Sequence, residues 1–150
     1  SMVGKEVEET EKRVQAFFEA CRVHGIRATP QRVEIYRELR NTEEHPDAET
    51  IYRRVRERMP VISLDTVYRT LRLFEEKEVI SRVGALNERA RFDGNMKPHH
   101  HFICKVCGYV GDVYCGAWND LKPPKEVERL GRVHSVHVEL RGVCKKCRSR

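Results

Sequence analysis

Apolar residues recur every three or four positions in four segments of the first half of the chain, a spacing typical of amphipathic helices. The first segment spans residues 5–23 and stops before Gly25; its predicted inward face is Val7, Val14, Phe17, Phe18 and Cys21. The second begins at Thr29, a suitable N-cap, followed by Pro30 at the first helical position. Its predicted apolar stripe is Val33, Tyr36 and Leu39.

The third and fourth segments have the clearest helix signals. Asp47 is suited to cap the third helix and Pro60 to stop it, with an inward face of Ala48, Ile51, Tyr52, Val55 and Met59. Ser63 is suited to cap the fourth, with an inward face of Leu64, Val67, Leu71 and Phe74. The opposite face of the fourth helix presents Asp65, Tyr68, Arg69 and Arg72.

After Ile80 the pattern changes from helical spacing to short alternating runs. Residues 80–93 predict two strands around a turn near Leu86-Asn87-Glu88, and "GNMKP" reads as a linker. Further on, the sequence predicts two strands around a cysteine knuckle, a short helix after Pro123-Pro124, and a strand in "VHSVHVELRGVCKKC". The fold class is therefore α+β: an N-terminal winged helix-turn-helix followed by a small α/β domain.

The fourth helix is the candidate recognition helix, and the hairpin after it is the candidate wing. In such modules an exposed helix face enters the major groove of DNA. Arg69 and Arg72 suit guanine edges or phosphates, and Tyr68 suits thymine methyl groups. A solvated charged helix face would have the same pattern.

The distribution of charge changes this picture only in detail. The formal net charge is +6, yet residues 1–84 carry sixteen Lys/Arg and sixteen Asp/Glu, so the surplus lies in residues 85–150. Within the first part the basic residues are clustered: residues 22–40 have a net charge of +3 and residues 51–72 a net charge of +4. Local basic segments of this kind favour an anionic partner such as nucleic acid.

Four of the six cysteines form two Cys-x-x-Cys pairs, Cys104 with Cys107 and Cys144 with Cys147. Four thiolates in this arrangement are typical of a structural Zn²⁺ site, although a gap of 36 residues separates the pairs. A redox dithiol or a disulfide is the alternative. A zinc ion together with dimerisation would offset the small core available to residues 99–150.

Three consecutive histidines precede the first cysteine pair. On a strand, His99 and His101 point to one side and His100 to the other. Because four cysteines already complete one site, His99 and His101 are left for a second ion, with Asp93 and Asp112 as candidate carboxylates. Imidazole with carboxylate suits exchangeable iron, manganese or zinc. A solvated histidine run is the alternative.

Several motifs occur in an order that resembles the ferric uptake regulator family. They are "GIRATPQR", "HPDAETIY", "SLDTVYRTL", "RFD", "HHHFIC-x-x-CG" and "GVC-x-x-C". The resemblance extends from about Gly25 to Cys147. It implies a homodimeric, metal-dependent repressor of a double-stranded, inverted-repeat DNA operator. It also implies a DNA-binding domain at 1–94, a hinge at 95–98 and a dimerisation domain at 99–150.

The resemblance also implies residue roles. The family's regulatory ligands fall on His45, Asp93, His99, His101 and Asp112, which would hold Fe²⁺ or Mn²⁺. On the residues alone, His45 would be an exposed histidine at a helix start. The implied DNA contacts include Arg27 beside Thr66, Tyr68, Arg69 and Arg72.

Asp at both carboxylate positions is similar to the peroxide-stress branch, in which peroxide oxidises a ligand histidine, whereas iron-uptake regulators usually have Glu there. None of the five ligand positions is Cys, unlike in zinc-uptake sensors. The positions of a further family metal site fall on His100, Asn119 and Val136 and lack the usual ligands. His134 and His137 could rebuild it with His100, or could be surface histidines.

Two rival functions use the same features. A metallohydrolase could use the His/Asp ion to activate water, but no general-base motif or substrate pocket is evident, so we expect no enzyme. The other rival is a protein-interaction module stabilised by zinc.

The acidic, polar N-terminus is unlike a secretory signal, and no apolar run approaches the roughly 18 residues of a membrane span. We therefore expect a cytoplasmic protein without a membrane partner; roles for Cys21 and Cys115 are not assigned.

Overall fold

The computed structural model describes residues 2–40, 44–84 and 89–149 and divides into two compact units, residues 1–96 and 97–150. The first unit contains four helices and a two-stranded sheet in its described parts, and the second a three-stranded sheet with short helices. This mixture of helix and sheet confirms the predicted α+β class. None of the described helices is both long and apolar enough to cross a membrane.

Helices α1 (Met2–His24) and α2 (Pro30–Arg40) open the first unit. Gly25 ends α1 with a φ of 67°, a backbone conformation that glycine adopts without strain. The predicted inward face of α1 is only partly correct: Val14, Phe17 and Cys21 are buried, whereas Val7 and Phe18 are exposed. Phe17 stacks on Tyr36 of α2 with ring centroids 4.2 Å apart, and this aromatic pair lies in the core of the unit.

Helices α3 (Ala48–Arg56) and α4 (Leu64–Glu76) begin at their predicted N-caps. The side chain of Asp47 accepts a hydrogen bond from Thr50 N, and that of Ser63 accepts one from Thr66 N. Helix α3 ends earlier than the expected stop at Pro60, because the chain passes into a turn in which Arg58 N and Met59 N both donate to Val55 O.

The predicted inward face of α4 is correct except at Leu64. Val67, Leu71 and Phe74 are buried, but Leu64 is 37 % exposed at the first residue of the helix. The charged face is exposed as predicted, including Tyr68, Arg69 and Arg72.

Strands β1 (Ser81–Val83) and β2 (Arg91–Asp93) pair antiparallel and form the predicted hairpin. The turn predicted near Leu86-Asn87-Glu88 lies outside the described residues. Strand β2 also contacts the segment before α3, since Phe92 N donates to Pro46 O. The hairpin therefore holds Asp93 beside the start of α3.

The second unit is built on a sheet with strand order β4-β3-β5. Strand β3 (His100–Cys104) pairs antiparallel with β4 (Val110–Val113) and parallel with β5 (Glu139–Gly142). A short helix α5 (Gly116–Asn119) and a 3-10 helix (Lys125–Arg129) lie between β4 and β5. The 3-10 helix follows the proline pair, as predicted.

The strand predicted over residues 133–147 is mostly wrong. Only Glu139–Gly142 forms a strand, and a short helix α6 (Lys145–Arg148) carries Cys147. Val133 and Val136 alternate with polar residues but are exposed. The N–H of Val138 donates to the side chain of His100 on β3 rather than to a backbone carbonyl, and the paired register with β3 begins at Glu139.

Candidate metal centres and DNA-binding surface

The two cysteine pairs meet at one end of the second sheet. Cys104 ends β3 and Cys107 lies in the turn after it, while Cys144 precedes α6 and Cys147 lies on it. The four Sγ atoms all lie within 4.8 Å of one another, and those of Cys107 and Cys144 are 3.7 Å apart. Parallel pairing of β3 with β5 brings the pairs together across 36 intervening residues.

Backbone N–H groups stabilise negative charge on two of these thiols. The N–H groups of Cys107 and Cys144 lower the pKa of Cys104 to about 6, and that of Cys147 lowers the pKa of Cys144. Burial instead raises the pKa of Cys147 to about 12. Thiolates with tetrahedral reach are the ligands of structural zinc, so the chemistry of the cluster fits Zn²⁺. The role of each cysteine as a ligand stays a prediction.

In the first unit, His45 and Asp93 form a fully buried pair. His45 Nε2 lies 3.1 Å from Asp93 Oδ2, and the other oxygen of Asp93 accepts a hydrogen bond from Asn95 N at 2.8 Å. His45 has a φ of 49°, uncommon for a residue other than glycine, and it precedes a proline. Such strained backbone clusters at functional sites.

Tyr36 and Gly94 hold the chain that follows Asp93. The Tyr36 hydroxyl donates to Gly94 O at 2.9 Å, and burial raises the pKa of Tyr36 to about 12. Gly94 is packed so closely on α2 that an added Cβ would lie 2.8 Å from Leu39 Cβ and 2.9 Å from Leu39 O. The position of Asp93 therefore depends on core packing as well as on the hairpin.

In the second unit, His99 and His101 both approach Asp112. His99 Nε2 lies 3.7 Å and His101 Nε2 3.5 Å from Asp112 Oδ1, because His101 and Asp112 are direct partners in the β3–β4 ladder. His99 Nδ1 lies 2.7 Å from Lys97 O. A carbonyl only accepts, so Nδ1 carries the proton, and the Nε2 of neutral His99 has a lone pair. A nitrogen lone pair next to a negatively charged carboxylate can bind a metal cation.

His100 points away from Asp112, as strand alternation predicts. Its Nδ1 accepts from Val138 N at 3.0 Å, and its Nε2 lies 2.9 Å from Asn119 Oδ1. His137 contacts a residue of the predicted site, which the sequence did not indicate: its Nε2 lies 2.8 Å from His101 Nδ1. Partial burial, and then the His101 and His100 rings, lower the pKa of His137. No sequence signal connects His137 with His101, since they lie 36 residues apart.

The predicted DNA-binding residues lie on the surface of the first unit. Tyr68, Arg69 and Arg72 are exposed along α4, and Arg27 is exposed in the loop between α1 and α2. Arg69 forms an ion pair with Asp65 at 3.0 Å, a weak surface contact that a phosphate or base could displace. Thr66 differs from the others: its backbone N–H and hydroxyl both contact Ser63 Oγ in the N-cap.

Ion pairs neutralise part of the positive charge on and just after α3. Arg58 of the turn after α3 binds Glu34 and Glu38 on α2 at 2.8 Å each. Arg54 binds Glu44 at 2.8 Å. These contacts neutralise part of the basic segment 51–72.

A winged helix with a basic recognition face, joined in one chain to a unit that gathers metal-binding side chains, defines a metal-responsive transcription regulator. A model of the ferric uptake regulator family matches residues 23–141. The chain belongs to that family, whose members are transcription regulators rather than enzymes.

Known proteins support this assignment over nearly the full length. The peroxide-responsive repressor PerR of Staphylococcus aureus strain Mu50 is 33 % identical over 151 residues, covering 97 % of this chain and 98 % of that protein. A zinc-bound manganese uptake regulator is 32 % identical with a TM-score of 0.56, covering 84 % of this chain and 96 % of that one. A zinc uptake regulator in complex with zinc and DNA has the same fold, with 21 % identity, a TM-score of 0.67 and coverage of 93 % and 95 %.

Proposed function

We propose that this protein is a homodimeric repressor that binds an inverted-repeat DNA operator when a divalent ion, Fe²⁺ or Mn²⁺, is bound. The proposed regulatory ligands are His45, Asp93, His99, His101 and Asp112. The proposed ligands of a structural Zn²⁺ ion are Cys104, Cys107, Cys144 and Cys147. Similarity to PerR over 97 % of the chain supports both assignments.

The arrangement of His99, His101 and Asp112 is the observation that carries the proposal. Two Nε2 atoms within 3.7 Å of one carboxylate oxygen form a nitrogen–oxygen donor set that suits iron or manganese. The first unit has a buried His45–Asp93 pair of the same chemistry. In our proposal one ion takes ligands from both pairs, with residues 95–98 as the hinge.

Coordination by ligands from both units would make DNA binding depend on the metal. An ion shifts a conformational equilibrium only as far as it binds one state better than the other. A state that offers all five ligands binds the ion more tightly than one that offers only three. The ion therefore favours the arrangement of the DNA-binding units that fits the operator.

The composition of the second unit supports a homodimer. Among its described residues, the buried hydrophobic ones are Ile103, Cys104 and Val110. Large apolar side chains are exposed instead, including Tyr109, Tyr114, Leu121, Leu130 and Leu140. Exposed apolar surface of this kind marks an interface, and a second copy of the same unit would cover it symmetrically.

The peroxide branch supplies the proposed signal. Fe²⁺ held by these five residues would promote the reaction of hydrogen peroxide with a ligand histidine, which is the net electron donor. Overall, one oxygen atom adds to a ring carbon of a ligand histidine and the other leaves as water. The oxidised imidazole is a poorer ligand, so the metal is released and repression ends. The two short carboxylates support this branch, because Asp93 and Asp112 would each hold the ion through a single oxygen and would leave room for peroxide to reach it.

Operator binding with Mn²⁺ or Fe²⁺, each with and without peroxide, tests the proposal. We expect both metals to promote binding and peroxide to release only the Fe²⁺ form, with one added oxygen on His45, His99 or His101 by mass spectrometry. Asp112→Glu should keep metal-dependent binding and lose most peroxide sensitivity, since the longer carboxylate can coordinate through both oxygens. Metal-dependent binding without peroxide release or oxidation would favour regulation by iron level instead.

A further inference from the structure

His99 and His101 are both held through Nδ1, but by different partners. The Nδ1–H of His99 donates to a carbonyl of its own chain segment, Lys97 O at 2.7 Å. The Nδ1 of His101 lies 2.8 Å from another side chain, His137 Nε2. Histidines that bind metals usually donate their second N–H to such a partner, which fixes the tautomer and the ring orientation.

The segment that carries His137 is held to β3 by two hydrogen bonds of the next residue, Val138. Val138 N donates to His100 Nδ1 at 3.0 Å, and Val138 O accepts from His101 N at 3.2 Å. These bonds join residues 137 and 138 to β3 just where the ladder with β5 starts. The His137 ring consequently lies against His101, with centroids 5.0 Å apart.

Both ring nitrogens of His100 form hydrogen bonds that hold this segment in place. Its Nδ1 accepts from a backbone N–H and so carries no proton in the neutral ring; its Nε2–H then donates to Asn119 Oδ1 at 2.9 Å. A ring with both nitrogens engaged is a brace between β3, α5 and the segment before β5. In this arrangement neither ring nitrogen of His100 is available for the further metal site that His100, His134 and His137 could have formed.

We propose that His137 is a positioning residue for the regulatory metal site. Its Nε2 accepts the Nδ1–H of His101 and so presents the lone pair of His101 Nε2 beside Asp112, 3.5 Å away. The inference rests on the proposed function, in which His101 is a ligand. An imidazole acceptor differs from the carboxylate or carbonyl that commonly orients a ligand histidine.

Four full-length, zinc-loaded proteins test the inference: wild type, His137→Ala, His137→Gln and His134→Ala. Gln offers a carbonyl oxygen as acceptor, and His134 is an exposed histidine three residues away that serves as the matched control. The first measurement is the tautomer of His101 by ¹⁵N NMR without regulatory metal. We expect the Nδ1–H form in wild type, His137→Gln and His134→Ala, and a mixture of tautomers in His137→Ala.

The second measurement is Mn²⁺ affinity by competition. We expect His137→Ala to weaken it by roughly 10–100-fold, the usual effect of losing an outer partner, with most of it restored in His137→Gln and none lost in His134→Ala. An unchanged His101 tautomer in His137→Ala, or equal weakening in both alanine variants, would overturn the inference. If wild type binds no Mn²⁺, the proposed function fails, and the tautomer measurement still decides the role of His137.

Discussion

At the scale of single residues, Gly94 sets the position of a proposed ligand. We expect Gly94→Ala to destabilise the protein by about 1–3 kcal/mol, the usual cost of overpacking a core, because the new Cβ meets Leu39 Cβ at 2.8 Å and Leu39 O at 2.9 Å. Displacement of the neighbouring Asp93 should also weaken Mn²⁺ binding. Denaturant unfolding and metal titration measure the two effects. Gly116→Ala is the control, since its Cβ meets nothing within 4 Å.

Tyr36 should make part of the stability depend on alkaline pH. Burial raises its pKa from 10.0 to about 12, so the folded state prefers the protonated phenol. This contribution is fully present below pH 10 and is lost as pH rises from 10 towards 12, up to about 3 kcal/mol in total for a shift of this size. Tyr36→Phe should be less stable at pH 8, because Gly94 O loses its donor, and should show a smaller decline between pH 9 and 11. Identical declines in both proteins would contradict the assignment.

At the scale of elements, the sequence predicted structure well where the stabilising contact joins residues close together in the chain, and poorly where it joins distant ones. Helices α3 and α4 were predicted with their N-caps, because Asp47 and Ser63 each bond a backbone N–H only three residues away. The segment before β5 was predicted wrongly, because its apolar alternation implied a ladder. The N–H of Val138 instead donates to the side chain of His100, 38 residues earlier, and the sequence contains no signal for that contact.

The same distinction applies within the candidate sites. The approach of His99 and His101 to Asp112 follows from strand alternation and from pairing with the next strand, both readable in the sequence. The contact of His45 with Asp93 spans 48 residues, so His45 could be singled out only through resemblance to a family. His137 is exposed, as expected of a surface histidine. Its contact with His101 spans 36 residues and could not be predicted from the sequence.

Helix α4 gives a prediction about DNA recognition. If Arg69 reads a guanine, Arg69→Ala should weaken operator binding by roughly 1–3 kcal/mol, with a smaller effect on unrelated DNA. The ion pair with Asp65 is exposed on both sides, so losing it should leave the free energy of unfolding nearly unchanged. Fluorescence anisotropy with operator and scrambled duplexes measures the difference, and Lys12→Ala on α1 is the control. Equal weakening on both duplexes would make Arg69 a phosphate contact instead.

At the scale of the whole molecule, the thiolate cluster should determine whether the second unit folds and dimerises. We expect Cys144→Ser to lose zinc and the dimer together, because the unit buries few apolar residues in its described part and metal binding is coupled to folding. Native mass spectrometry reports zinc content and assembly in one measurement. Cys115→Ser changes a half-buried cysteine outside the cluster and should retain both. A folded, zinc-free dimer of Cys144→Ser would show that the cluster is dispensable.

His45 tests whether metal binding in the second unit is communicated to DNA binding in the first. In His45→Ala the three proposed ligands of the second unit remain, so Mn²⁺ should still bind, though more weakly. The first unit would then contribute only Asp93, and an ion that binds both arrangements with nearly equal affinity shifts nothing between them. We therefore expect a zinc-loaded dimer whose operator affinity scarcely responds to saturating Mn²⁺.

His24→Ala, which removes an exposed histidine at the end of α1, should respond as wild type does. Affinity must be compared at metal concentrations that saturate each variant, so that weaker binding is not mistaken for lost coupling. Full activation of saturated His45→Ala would show that the second unit alone controls DNA binding, and the proposed role of His45 would be wrong.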